Sequence, residues 1–142
     1  MPSTVLVDTG FLVALFNAKD PLHASAKAVL AQTLRPERVL LVSVWPTVVE
    51  TCFFLDVRGK TAFLEWIRRG ALRLRHIENE HLPTIMAILD RFGEHEIDLA
   101  DACLVWLAGI ERSNRILTTD RRDFDMLRTP DGRPFERIWL SP

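Results

Sequence analysis

Cysteine is scarce in this chain of 142 residues, occurring only as Cys52 and Cys103. The two form no CxxC pair and lie in apolar stretches of helical spacing. They read as two buried thiols in a reducing compartment, not as a disulfide framework. Lysine is also rare, appearing only at Lys19, Lys27 and Lys60. Arginine therefore carries most of the positive charge, and its planar guanidinium suits bidentate phosphate contacts. No apolar run reaches transmembrane length, because charges interrupt every long one. No basic region precedes a signal-like core at the N-terminus. These absences lead us to expect a cytoplasmic protein with no membrane association.

Net charge is −1 and apolar content 48%. There is no bulk basic field to draw in nucleic acid, so any such site must be a local patch. A chain of this length buries roughly 68–70% of its unfolded surface and can support a core unaided. We expect a single domain over residues 1–142, with no linker or tail.

The periodicities alternate between strand and helix. Strands are expected at Thr4–Val7, Arg38–Ser43, Arg115–Thr119 and in the terminal FERIWL, with Leu72–Ile77 as a short edge strand. Helices are expected over Gly10–Asn17 and from Asp20-Pro21 to Leu34. Others should run from the Ser43–Pro46 turn to Gly59, over Thr61–Arg69, over Leu82–Phe92, and from an Asp98 cap to Arg112. Arg121–Leu127 reads as one turn. This order predicts an α/β fold: a central, mostly parallel sheet covered on both faces, making a three-layer α/β/α sandwich.

The first strand ends in Asp8-Thr9-Gly10, the tripeptide of aspartic proteases. Those enzymes are nearly all β and rely on glycine-rich flaps, whereas this chain has 6 glycines and FLVALF after the tripeptide. The context weighs against that chemistry and leaves an aspartic protease as the less favoured alternative. In open α/β sheets, sites form beyond the carboxyl ends of the strands. Asp8 and Asp120 end strands there, and Glu50 and Asp101 lie in first turns of helices that begin near that edge. Glu50 has Pro46, Thr47, Phe53 and Phe54 as its helical neighbours. A carboxylate on such an apolar surface loses hydration and needs a partner, either a structural arginine or a site. Asp98 reads as a helix cap. Carboxylates converging without a base raise one another's pKa, and a divalent cation removes the conflict. All-oxygen donors favour Mg²⁺, or Mn²⁺, over zinc.

Asp8 in VLVDTGFLVAL, Glu50 in VVET, Asp101 in DLADA and Asp120 in ILTTDRRDF resemble, in order and context, the PIN domain. The nearest likeness is to the VapC-type toxins of bacterial toxin–antitoxin pairs, and it spans Val5 to Phe124. The resemblance implies a metal-dependent endoribonuclease that hydrolyses RNA with metal-activated water. It also implies a homodimer held in check by a cognate antitoxin. It makes Asp8, Glu50, Asp101 and Asp120 metal ligands. Thr9 and Thr119 become hydroxyl helpers, and Asp123 either a further helper or a cap. Arg121 and Arg122 are candidate RNA contacts beside Asp120, while His23 reads as a solvated helix-start residue. The competing reading is a catalytically silent PIN-like module that binds RNA or protein. A response-regulator receiver would need paired acids after the first strand and a late lysine, and the chain has neither.

Overall fold

A computed structural model describes residues 3–140. Its centre is a five-stranded sheet of β1 (Thr4–Val7), β2 (Leu40–Val44), β3 (Arg73–Arg75), β4 (Arg115–Leu117) and β5 (Glu136–Arg137), in the spatial order β3-β2-β1-β4-β5. Every neighbouring pair is parallel. All carboxyl ends therefore share one rim, and β1 and β4 meet at the middle of it.

Helices cover both faces. Val5, Val7, Leu41 and Leu117 point into one core, packed by α1 (Thr9–Phe16), α2 (His23–Val29) and α4 (Val57–Arg68). Leu6, Val42, Val44 and Ile116 point into the other, packed by α5 (Leu82–Arg91) and α6 (Leu99–Glu111). The strict alternation along β1 and β2 is that of strands buried on both faces. The expected three-layer sandwich is observed. As its all-round apolar pattern implied, α6 is buried continuously from Ala100 to Ala108. The remaining helices are α3 (Trp45–Cys52) and α7 (Arg121–Met126).

Several boundaries differ from the sequence reading. The second helix starts at His23, not at Asp20-Pro21. Asp20 instead closes the preceding turn, accepting from Leu22 N at 2.8 Å. That helix ends in a π-helical turn, Leu30–Leu34. His23 opens that helix and is half-buried, its Nδ1 bonding to Ala14 O at 2.8 Å and tying α2 to α1. The strand expected from Arg38 begins at Leu40, because Arg38 adopts a positive φ of 54°. The helix expected to reach Gly59 ends at Cys52. Asp56 then caps a new helix, accepting from Gly59 N at 2.7 Å. The terminal strand is only two residues long.

Candidate metal centre

The site is built where β1 and β4 end. Asp8 follows the last residue of β1, and its backbone N–H continues the ladder to Leu117 O at 2.9 Å. Its side chain caps α1, accepting from Thr9 N at 2.8 Å. Its other oxygen accepts from the Thr118 hydroxyl at 2.7 Å. The same hydroxyl oxygen accepts from Asp120 N at 2.9 Å, so one buried threonine fixes an acid from each of two strand ends. Asp120 in turn caps α7, accepting from Asp123 N at 2.9 Å.

The other acids arrive on helices. The β2 strand passes directly into α3, whose second turn carries Glu50, and Thr9 Oγ1 donates to Glu50 Oε1 at 2.6 Å. Asp101 stands in the first turn of α6, its N–H donating to the capping Asp98 at 2.8 Å. Both Asp8 (6% exposed) and Asp101 (7%) are buried. Carboxylate oxygens of Asp101, Asp120 and Asp123 lie within 4.8 Å of one another.

A cleft of about 850 Å³ joins all five of these acids to Asp20, Glu96 and Asp98. Eight carboxylates line it, and among the described residues no Lys, Arg or His does. Nor does any described base pair with Asp8, Glu50, Asp101, Asp120 or Asp123. The protonation of the site follows from this. Burial pushes Asp8 up to about 6, opposed by its bonds from Thr118 and Thr9 and aided by Glu50 and Asp120. Burial raises Asp101 to about 8, with Asp8, Asp98, Asp120 and Asp123 adding repulsion. Asp123 is also raised, by desolvation and then by Asp120. Such groups either hold protons or require a cation. An all-oxygen donor set with no internal base fits a hard divalent ion.

All four of the principal acids named from the sequence line the cleft, as do the expected helpers Thr9, Thr119 and Asp123. The hydroxyl that bonds to both Asp8 and the Asp120 N–H belongs to Thr118, which the sequence reading did not single out. Thr119 packs on Gly10, where an added Cβ would meet its Oγ1 at 2.0 Å. The missed signal is strand parity: two residues after Ile116, which faces the α5–α6 core, the chain faces that side again at Thr118. Asp123 is a full member of the tight cluster, and the cap of that turn is Asp120. Thr9 does hold an acid, Glu50. The expected burial of Glu50 against phenylalanines is not observed, because Phe53 is 81% and Phe54 62% exposed. Arg121 and Arg122 lie exposed at the start of α7, immediately after Asp120.

Comparison with known proteins agrees with this architecture. A family model described as the PIN domain matches residues 5–129. Ribonuclease VapC26 of Mycobacterium tuberculosis is 31% identical over 139 residues, covering 94% of this chain and 99% of that protein. Among solved structures, VapC20 of M. tuberculosis, described as a sarcin–ricin-loop-cleaving toxin, superposes with a TM-score of 0.71 at 24% identity. That match covers 83% of this chain and 91% of the other. VapBC2 from Rickettsia felis, bound to a DNA fragment from its promoter, gives a TM-score of 0.67 at 13% identity, covering 96% and 99%. These two likenesses are of fold.

Proposed function

This chain belongs to the PIN domain family, and on that premise we propose that it is a divalent-metal-dependent endoribonuclease, the toxin of a toxin–antitoxin pair. The observation that carries the reading is the cleft with eight carboxylates and no base, three of them within 4.8 Å. Asp8, Glu50, Asp101, Asp120 and Asp123 are the residues that would hold Mg²⁺ or Mn²⁺. A divalent ion supplies Lewis acidity toward a phosphodiester and lowers the pKa of water.

The chain's own part is positioning. Thr118 holds Asp8 and Asp120 in fixed relation, leaving the second Asp120 oxygen free of the α7 cap. Thr9 orients Glu50. Side-chain bonds of this kind set the direction of a ligand and its basicity. No histidine among the described residues lines the cleft, so no imidazole pair is available to drive attack by the RNA's own 2′-OH. Water is therefore the nucleophile, and the products carry 5′-phosphate and 3′-hydroxyl ends. Arg121 and Arg122 flank Asp120 where a phosphate backbone would pass.

The partners in this reading are RNA, a cognate antitoxin and a second copy of the chain. The exposed row Trp45, Val49 and Phe53 on α3, with Leu99 beside it, supports a protein contact next to the cleft. No helix among the described residues is long and apolar enough to cross a membrane. The compartment proposed is the cytoplasm, where RNA and antitoxin are met.

The test is cleavage of a single-stranded RNA with Mg²⁺, and its arrest by EDTA. Glu50→Gln should abolish cutting while leaving the fold intact. A wild-type protein that binds RNA but never cuts it with either ion would favour the silent module. A 2′,3′-cyclic phosphate product formed in EDTA would overturn the mechanism.

A further inference from the structure

Strand register puts two arginines in line with the cleft. The β1–β2 register pairs Leu6 with Val42, so two residues on Asp8 stands level with Val44. Val44 is itself paired with Arg75, and Val42 with Arg73. Asp8, Val44 and Arg75 thus form one row across three adjacent strands, and the outer two members are about 10 Å apart at two strand spacings. The row also shares a face. Leu6, Val42, Val44 and Ile77 pack into the α5–α6 core, whereas Leu72 and Leu74 pack into the opposite one. By alternation Asp8, Arg73 and Arg75 all project on the α5–α6 side. Yet β3 is the edge strand, and both arginines are exposed there. Neither forms an ion pair among the described residues.

The cleft needs such residues. A polyanion entering a pocket lined by eight carboxylates meets repulsion everywhere except at the bound cation. Its grip must come from cations outside the lining, on the same rim and face. We propose that Arg75, with Arg73 one strand repeat further from the rim, holds backbone phosphates of single-stranded RNA next to the scissile one. The two act as positioning residues. This deepens the ribonuclease reading and rests on it. Charged side chains on an edge strand also deter pairing with a second sheet. That role requires neither the register with Asp8 nor the shared face.

The test compares wild type with Arg75→Gln, Arg73→Gln and the double variant, as Mg²⁺-loaded full-length protein cleaving a single-stranded RNA oligonucleotide across a salt series. Each substitution should raise KM several-fold and leave kcat unchanged. The slope of log(kcat/KM) against log salt should flatten by about 0.7 for each phosphate of a single strand that is no longer neutralised. Arg75→Lys keeps the charge and should keep the slope. Arg58→Gln, an exposed arginine on α4 in the opposite layer, should change neither. A double variant with wild-type KM and slope overturns the proposal while leaving the nuclease intact. So does a double variant that self-associates on size exclusion with unchanged kinetics, since that marks an edge-protecting role. A wild-type protein that neither cuts nor retains the oligonucleotide refutes the ribonuclease reading itself, and this proposal with it.

Discussion

The molecule treats its acids in two opposite ways. On the periphery Glu65 pairs with Arg68 through Nη2 at 2.5 Å, Asp125 with Arg137 at 2.7 Å and Asp131 with Arg133 at 3.2 Å. Hydrogen bonds from these neighbours, with Thr129 foremost for Asp131, hold all three carboxyls below their ordinary range. In the cleft the same chemical group is buried and unpaired, and it is pushed the other way, to about 6 at Asp8 and about 8 at Asp101. The chain carries 18 Lys and Arg, and among the described residues none lines the cleft. Peripheral acids are neutralised from within the chain. Central acids have no such partner among the described residues, and burial with mutual repulsion raises them instead.

The contrast is broken most severely at Asp101. Asp101→Asn should reduce cleavage by more than the roughly 100-fold typical of losing a group that only orients a metal ligand. The metal-free melting temperature should rise or hold, because a repelled carboxylate has gone. A fall in both would show that Asp101 is structural. Thr118→Val comes next. It removes the hydroxyl shared by Asp8 and Asp120 and should cost about 10- to 100-fold in activity or metal affinity. Thr119→Val should cost less, which a side-by-side assay would show.

Metal and pH sharpen the contrast further. Asp8 and Asp101 keep protons in the fold at pH values where the unfolded chain, at 3.8, has released them. Their stabilising contribution is complete below about 3.8 and is lost as pH rises through about 6 and about 8. The metal-free protein should therefore melt progressively lower between those values. Mg²⁺ or Mn²⁺ at 100 times its Kd adds about 2.7 kcal/mol, worth about 10 °C in a chain of this size. The shift should grow with pH, since protons compete for the same oxygens. A metal-induced shift that is equal at pH 5.5 and pH 8.5 would separate those acids from the metal. The smallest effect belongs to the periphery. Glu65→Gln breaks an exposed ion pair with Arg68 of a kind that often contributes nothing measurable, and activity and melting should match wild type.

The layered sheet was legible because its signals are local. Val5–Val7 and Leu41–Val44 alternate between two cores, and β-branched runs between amphipathic helices have few other ways to be buried. Asp8, Asp101 and Asp120 were legible because each ends a strand or opens a helix at the rim, whereas Glu50, expected in a first turn, sits in the second turn of α3 and was legible from its apolar neighbours. Details that depend on one residue of phase were not. Cys52 to Val57 reads as continuous helix until Asp56 is seen to cap the second half. Thr118 and Thr119 are alike in type, and only the end of β4 at Leu117 decides which turns toward Asp8. Phe53 and Phe54 read as an apolar surface around Glu50 and are exposed, because α3 ends at Cys52 before they are reached.

The central place of β4 has a consequence for the timing of synthesis. The strand comes fourth in the chain but inserts beside the first, and the cleft's acids run from Asp8 to Asp123. A ribosome delivers them in order, amino end first. Until Asp120 and Asp123 have cleared the exit tunnel, Asp8 has no Thr118 to hold it and the carboxylate cluster does not exist. The growing polypeptide thus carries its acids unassembled, and the cleft forms only once β4 and α7 have emerged to join β1.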